Sequence, residues 1–481
     1  MKKLTWILAG LLLFVIILVI PCCHTLSHPG KVVLATTLLM AVWWLTDAIP
    51  MGATALVPLF IFPLFGVMSA KKVSPPYADR HIFLFLGGLI IAEAIQKWNL
   101  HKRIAVSIVN FLGSNPRTII LGFMVATAFL SMWMSNTATT LMMMPIGLAI
   151  LASFGEKLEK SSDLLNFSKT LMLSIAYAAT IGGIATLVGT PPNLVLAGMY
   201  QKLFHQQITF SQWFAIGFPI SIFMLIFAWI YMVYFGFPFK NLPKERIKEI
   251  IKSEKESLGK MSYEEKIVLT VFILVAIGWI TRSDIHIGNI TLKGWADLFP
   301  YKKFIKDSTV AMLFAILLFL IPSKHGEGMI LDWKDMKNIP WEVLFLFGGG
   351  FALAKGFEES KLTVWVGQQL SFITHLHPIL LILIVVITLE IVTEFTSNTA
   401  TTTIMLPILA GIAQLGHLNP LFLLVPATLG ASSAFMLPVA TPPNAIVMGS
   451  GVIEIKDMAK AGVWLDIFAA IVITLYIYFL V

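Results

Sequence analysis

The sequence predicts an all-α polytopic membrane protein of about eleven transmembrane helices and two re-entrant hairpins, built as a repeat. Three observations predict it. With 57% hydrophobic residues, 12% charged and a mean hydropathy of +0.85, the 481-residue chain has too few polar groups to cover its apolar ones. Apolar runs of bilayer-crossing length recur from one end to the other. Two near-identical polar hexads interrupt those runs, Ser135-Asn136-Thr137-Ala138-Thr139-Thr140 and Ser397-Asn398-Thr399-Ala400-Thr401-Thr402. Each is followed by a matching break, Gly189-Thr190-Pro191-Pro192-Asn193 and Ala440-Thr441-Pro442-Pro443-Asn444.

Taken in order, the first span is predicted at 5–21. Met1, Lys2 and Lys3 before it give it the look of a signal peptide, but the apolar runs that follow argue that it is retained. Pro21 before Cys22 is a poor lipoprotein cleavage context. Cys22 and Cys23 are the only cysteines, and as chain neighbours they are poorly placed for a mutual disulfide. Further spans are predicted at 31–46, 51–67, 82–98, 212–236, 265–281, 308–322, 341–357 and 462–481. Segments 118–152 and 376–412 read as re-entrant hairpins, interrupted at their polar middles. Segments 172–200 and 420–449 read as helices broken at their consecutive prolines. Trp43, Trp44, Trp213 and Trp341 read as span-end anchors.

Placing Asn136 opposite Asn398 sets an offset of 262 residues, and the same offset puts Gly87-Gly88 opposite Gly349-Gly350. Asn193 and Asn444 differ by 251, so the first copy carries eleven more residues between hairpin and break. The hydrophilic stretch 156–169, with Lys157, Glu159, Lys160 and Asp163, can hold that excess in a loop. The predicted divisions are an N-terminal span at 1–30, a first repeat at 31–238, a linker at 239–264 and a second repeat at 265–481. Five crossings per copy, an odd number, make the repeat inverted.

From Phe239 to Lys266 there are eight basic residues: Lys240, Lys244, Arg246, Lys248, Lys252, Lys255, Lys260 and Lys266. Topology follows Lys and Arg rather than net charge, so this linker is placed in the cytoplasm despite its glutamates. Lys2, Lys3, His101, Lys102, Arg103 and Arg117 then fall on the same side, which puts the N-terminus inside and, after eleven crossings, Val481 outside. Lys293, Lys302, Lys303 and Lys306 lie on the predicted outer side, against this trend. Lys244 to Lys260 shows no sustained apolar stripe and reads as a solvated helix bridging the halves.

Chain reversal at membrane depth demands backbone that is satisfied by protein, water or ligand rather than lipid. At the tips, Ser135, Asn136 and Thr137 on one side and Ser397, Asn398 and Thr399 on the other suit the two carboxylates of one anion. Consecutive prolines release upstream carbonyls from helical bonding. Those carbonyls, with the amide oxygens of Asn136 and Asn398, are the hard ligands that replace water around Na+. One sodium position is predicted at Ser131, Ser135, Asn136 and Gly189, and the other at Thr393, Ser397, Asn398 and Pro442. No Arg or Lys lies in either tip or either break, so a divalent organic anion needs positive charge brought by a coupled cation.

For Thr139, Thr140, Thr401 and Thr402, helix capping competes with substrate contact. Glu390 and Glu394, four residues apart, share one helical face where the first copy has only apolar side chains. A structural network and a cation or proton role are both open to them. Gly87, Gly88, Gly348, Gly349 and Gly350 suit close helix packing. No zinc-ligand spacing, nucleophile elbow or Walker loop occurs, and the histidines form no evident catalytic pair, so no enzyme is predicted. The net charge of +8 belongs to loops at the membrane and points to no nucleic acid.

On its duplicated Ser-Asn-Thr tips and Thr-Pro-Pro-Asn breaks, the chain from about 30 to 480 resembles the divalent anion:sodium symporter family, the di- and tricarboxylate carriers. The resemblance implies an integral protein of the cytoplasmic membrane and a homodimer. Each subunit would hold a scaffold and a transport domain made of both hairpins, the broken helices and the helices after them, moving as an elevator. It implies that Ser135, Asn136, Thr137, Ser397, Asn398 and Thr399 hold substrate carboxylates and help form the sodium sites, with Thr190, Pro191, Thr441 and Pro442 supplying the remaining walls. The expected activity is sodium-coupled symport of succinate, malate or fumarate, with citrate in the same class. Sodium-independent exchange of di- or tricarboxylates, and carriage of sulfate, are the alternatives. Na+ is the expected coupling ion, and no organic cofactor is expected.

Overall fold

The computed structural model describes residues 2–19, 26–113, 115–152, 154, 161–240, 242, 244–287, 290–325, 328–370, 372–373 and 376–480. Pro21, Cys22, Cys23 and the Lys157, Glu159 and Lys160 part of the predicted excess loop lie outside the described residues, as do Met1 and Val481.

Apolar sequence without internal strand periodicity folds here almost entirely as helix. Helix α1 (Lys2–Val19) packs along α2 (His28–Thr46), which opens on a Ser27 cap with Pro29 in the first turn and closes on left-handed Asp47. The span expected at 51–67 is instead two short helices, α3 (Met51–Ala55) and α4 (Val57–Leu64). Pro58 has no N–H to continue the ladder, and the Ala55 carbonyl at the break accepts the Tyr77 hydroxyl at 2.6 Å. Next come α5 (Ala70–Val73), α6 (Arg80–Lys97), α7 (Leu100–Leu112), α8 (Pro116–Ser131), α9 (Asn136–Ala152), α10 (Ser162–Ile184), α11 (Pro191–Phe204) and α12 (Phe210–Ile230), which runs on through a π turn to Gly236.

After helix α13 (Lys244–Ser257) and helix α14 (Tyr263–Ile280), strands β1 (Ile285–Ile287) and β2 (Ile290–Leu292) form a small antiparallel hairpin. The chain then continues through α15 (Asp307–Leu320), α16 (Trp341–Glu359), α17 (Leu362–Gln369), α18 (Pro378–Thr393), α19 (Asn398–Leu415), α20 (Leu421–Ser432), α21 (Pro442–Met448) and α22 (Ile455–Leu480). By length and composition, α2, α10, α12 with its π turn, and α22 suffice to cross a bilayer. Helices α1, α3 with α4, α8, α9, α15, α18 and α20 are apolar but shorter.

Helix boundaries repeat at the offset seen in the sequence. Pro116 and Pro378 open α8 and α18, Ser131 and Thr393 close them, and Asn136 and Asn398 open α9 and α19. Before them, Asn99 (φ 55°) and Lys361 (φ 58°) take the same left-handed conformation ahead of α7 and α17. The two copies interlock: α11 packs on α19 of the second copy, and α21 packs on α9 of the first. Gly87 lets α6 close on α15, where a Cβ would fall 2.6 Å from that of Ala311, and Gly349 meets the Ala55 backbone.

Two expectations are corrected. Trp213 is no interfacial anchor but is fully buried, its Nε1 donating to the Ile184 carbonyl at 3.0 Å; that carbonyl ends α10 and has lost its helical donor. Trp44 is likewise buried and donates to Met51 O at 3.1 Å. The linker helix α13 is not solvated all round. Ile250 and Ile251 sit against Val106, Val109, Phe123 and Ile146, while Lys102 pairs with Glu254 at 2.9 Å. Two adjacent isoleucines are enough to make a docking stripe on a helix of four turns, which a pattern of sustained periodicity does not register.

Candidate functional site

Helix α8 ends where Ser131 turns its hydroxyl back on two acceptors. Ser131 Oγ lies 2.7 Å from Asn136 Oδ1 at the start of α9 and 2.7 Å from the Ala179 carbonyl of α10. A serine hydroxyl has one proton, so its two acceptors, Asn136 Oδ1 and the Ala179 carbonyl, compete for it. The second copy builds the same arrangement, with Thr393 Oγ1 2.7 Å from Asn398 Oδ1 and 2.8 Å from Ala431 O of α20. Ser131 and Thr393 are fully buried, whereas Asn136 and Asn398 are half-buried. Each cluster is therefore an electron-rich pocket of hard oxygens beside a partly open asparagine, a donor set suited to an alkali cation.

The chain can approach so closely because α10 carries Gly182-Gly183 at this level. A Cβ on Gly183 would fall 2.5 Å from Asn136 Oδ1, and one on Gly189 would fall 2.5 Å from Gly183 O. Of the first predicted cation set, Ser131 and Asn136 are in direct contact, and Gly189 joins them through Gly183. Ser135 Oγ caps α9 by accepting Ala138 N at 3.2 Å. Of the second set, Thr393 and Asn398 are in direct contact, Ser397 sits half-buried at the N-cap of α19, and Pro442 is an exposed first residue of α21. Thr137 is half-buried at its tip and Thr399 is buried. Thr140 and Thr402 do not cap their helices: each Oγ1 donates at 2.8 Å to the main-chain carbonyl four residues back, that of Asn136 or Asn398, within its own helix.

At the breaks, carbonyls upstream of those that the prolines free are engaged by the asparagine that follows the prolines. Asn193 Nδ2 lies 3.1 Å from Gly183 O, 3.3 Å from Ile184 O and 2.7 Å from Thr186 O; Asn444 Nδ2 lies 3.2 Å from Ala434 O and 3.0 Å from Leu437 O. The carbonyls that reach the tips, Ala179 and Ala431, lie earlier on α10 and α20, and the sequence pattern carried no signal for them beyond the small residues around Ala179. Thr190 and Thr441 are buried N-caps of α11 and α21, and Pro191 is half-buried behind Thr190.

At the offset of 262, Glu390 and Glu394 align with Ala128 and Met132. Glu394 is fully buried and its two oxygens accept Met436 N and Leu437 N, each at 2.8 Å, holding the loop between α20 and α21 against the end of α18. In the first copy the equivalent loop is held by Thr186, whose hydroxyl donates to Met132 O and accepts Gly189 N. The second loop is longer, nine residues (433–441) against six (185–190), and a carboxylate spans the wider gap. Glu394 thus belongs to a structural network. Glu390 keeps one buried oxygen without a partner, and Asp466 of α22, which the sequence reading did not single out, keeps two.

A repeated hairpin and broken helix, each with an oxygen cluster and no Lys or Arg at its tip or break, define a membrane carrier. The chain belongs to the sodium:sulfate symporter transmembrane family, whose model matches residues 1–480. It is 46% identical over 486 residues to the sodium-dependent dicarboxylate transporter SdcS of Staphylococcus saprophyticus, covering 100% of this chain and 91% of that one. The protein of the same name from Staphylococcus aureus strain MRSA252 is 44% identical over 485 residues, covering 99% and 91%. Among solved structures, the YdaH transporter of Alcanivorax borkumensis superposes with a TM-score of 0.54 at 12% identity, covering 94% of this chain and 99% of that one, a likeness of fold alone. The family resemblance read from the tips and breaks therefore holds over the whole chain, and these relatives are transporters.

Proposed function

We propose that this protein carries C4 dicarboxylates such as succinate, malate and fumarate into the cell by symport with Na+. The observation that supports it most is the doubled cluster in which Ser131, Asn136 and Ala179, and again Thr393, Asn398 and Ala431, gather three oxygens around one proton. A Na+ ion at each cluster satisfies the surplus oxygens and cancels the charge of a dicarboxylate, which no lysine or arginine in the tips can do. Na+ also fixes the Asn136 and Asn398 amides, leaving Ser135, Thr137, Ser397 and Thr399 to receive one carboxylate at each tip, with Thr190, Pro191, Thr441 and Pro442 as walls.

Both hairpins, both broken helices, α12 and α22 then form the moving body of an eleven-crossing, inverted-repeat elevator, and the remaining helices form the scaffold of a homodimer. Its N-terminus lies inside and its C-terminus outside. The deciding experiment is radiolabelled succinate uptake into proteoliposomes under Na+, Li+, K+ or pH gradients, with and without dicarboxylate inside. Uptake driven by inward Na+ is expected. Uptake that ignores Na+ and requires internal dicarboxylate would replace symport by exchange, and uptake of sulfate alone would remove the substrate assignment.

A further inference from the structure

At the end of α14 remote from the linker helix, the first turns of α6, α12 and α15 converge, and with them an excess of positive charge. Three helix N-termini already favour an anion. Two carboxylates stand among them, and both are engaged. Asp79 caps α6 through His81 N at 3.0 Å, binds His81 Nδ1 at 2.7 Å and pairs with Lys202 at 2.8 Å. Asp307 accepts Phe210 N at 3.0 Å and pairs with Arg282. Against these two acids stand four cations, Arg80, Lys202, Arg282 and Lys306.

Two of the four have no acid of their own. Arg80 makes no ion pair or hydrogen bond among the described residues, and Lys306 reaches only Gln207 Oε1 at 3.4 Å. The buried Arg282, 6% exposed, keeps Nη2 without an acceptor. Burial and the repulsion of Arg80 and Arg282 hold the Lys306 ammonium below its ordinary value, with Asp307 opposing them. Like charges gathered at partly buried helix ends are unfavourable unless an anion joins them. A small cleft opens at this place, lined by Arg80, His81, Gln207, Lys306 and Ser308 among others.

We propose that this cleft, between the starts of α6 and α15 and the α11–α12 turn, binds an oxyanion, held by Arg80 and Lys306 with the first turn of α15. The chemistry recognised is a carboxylate or phosphate oxygen set, from the transported acid on its way to the tips or from a lipid headgroup. Naming the transported acid as occupant rests on the proposed function; the site itself does not. A cationic mouth suits a carrier whose tips carry no positive side chain, because it raises the local concentration of a divalent anion without trapping it at the deep site.

The test pairs the parent with the double variant Arg80→Gln, Lys306→Gln, which removes no ion pair and only the long Lys306–Gln207 contact. In K+ without Na+, succinate raises the melting temperature of the purified parent and not of the variant. In phosphatidylcholine vesicles under a Na+ gradient, the variant's KM for succinate rises about tenfold at low ionic strength, the gap closes at high salt, and kcat is kept. A stabilisation produced by phosphatidylglycerol vesicles instead of succinate, and lost in the variant, supports the site with a headgroup phosphate as its occupant. Identical behaviour of parent and variant in all arms overturns it. A parent that takes up no succinate while its melting shift still depends on Arg80 and Lys306 refutes the proposed function and leaves the oxyanion site standing.

Discussion

Gly183 and Asn136 are packed so tightly that a single methyl on the glycine would fall 2.5 Å from the asparagine Oδ1. The amide that closes the first oxygen cluster is thus set by the Gly183 backbone as well as by the Ser131 hydroxyl. Gly183→Ala is expected to push Asn136 out of place, raising the Na+ concentration needed for half-maximal uptake by about tenfold, the cost of losing about 1.4 kcal/mol at one ligand. The neighbouring Gly182→Ala meets the Ala128 backbone, which cannot yield, so it is expected to lower the amount of folded protein. Sodium titration of uptake and a thermal scan distinguish the two; a Gly183→Ala protein with parental sodium dependence would detach Asn136 from the cation.

Asn136→Ala and Asn398→Ala remove the amide oxygens themselves. Each is expected to reduce succinate uptake by about tenfold or more, since one oxygen ligand is lost in each and nothing nearby replaces it. Thr393→Val keeps the volume while removing the hydroxyl that touches both Asn398 and Ala431, and is expected to weaken sodium dependence without unfolding. Unchanged uptake in both asparagine variants, measured in liposomes, would reject the assigned tips.

The tips were legible in the sequence because a polar hexad inside hydrocarbon-length sequence has few structural reasons to occur once and fewer to occur twice at a fixed offset. Ser131, Asn136, Thr393 and Asn398 were found on that signal, and their contacts are side chain to side chain. Ala179 and Ala431 were not, because a main-chain carbonyl leaves no mark on residue identity. At the breaks, Asn193 and Asn444 engage the Thr186 and Leu437 carbonyls, a contact between side chain and backbone that the Pro-Pro-Asn pattern does not announce. The docking of Ile250 and Ile251 depends on partners distant in the chain, which local pattern does not report, whereas the break near Pro58 had a local signal in the missing N–H of that proline.

Glu394 accepts two backbone N–H groups at 2.8 Å in a buried position, where leaving a donor unsatisfied costs about 1–3 kcal/mol. In Glu394→Gln one acceptor becomes an NH2 that faces an N–H. The expected loss is about 1–3 kcal/mol, read as a lower melting temperature in detergent. A stabilised or unchanged Gln variant would contradict the assignment of Glu394 to loop support.

Asp79, at the mouth outside the spans, supplies the pH dependence. Burial alone would push its carboxyl up, but the hydrogen bond and charge of His81 and the charge and hydrogen bond of Lys202 outweigh it and hold the group below the usual carboxylate range. A carboxyl held down in the folded state contributes stability that is present above its ordinary value near pH 4 and is lost as the pH falls toward its folded value. The parent's melting temperature is therefore expected to fall on acidification below about pH 4, with Asp79→Asn less stable at neutral pH and showing a shallower fall. Lys202 leaves from the end of α11 and Asp79 from the start of α6, so the same variant also tests whether this pair ties a helix of the proposed moving body to one of the scaffold. If it does, Asp79→Asn changes the rate of uptake at saturating succinate and Na+ while leaving both half-saturation concentrations in place; a variant that alters only those concentrations would assign Asp79 to ligand capture at the cleft instead.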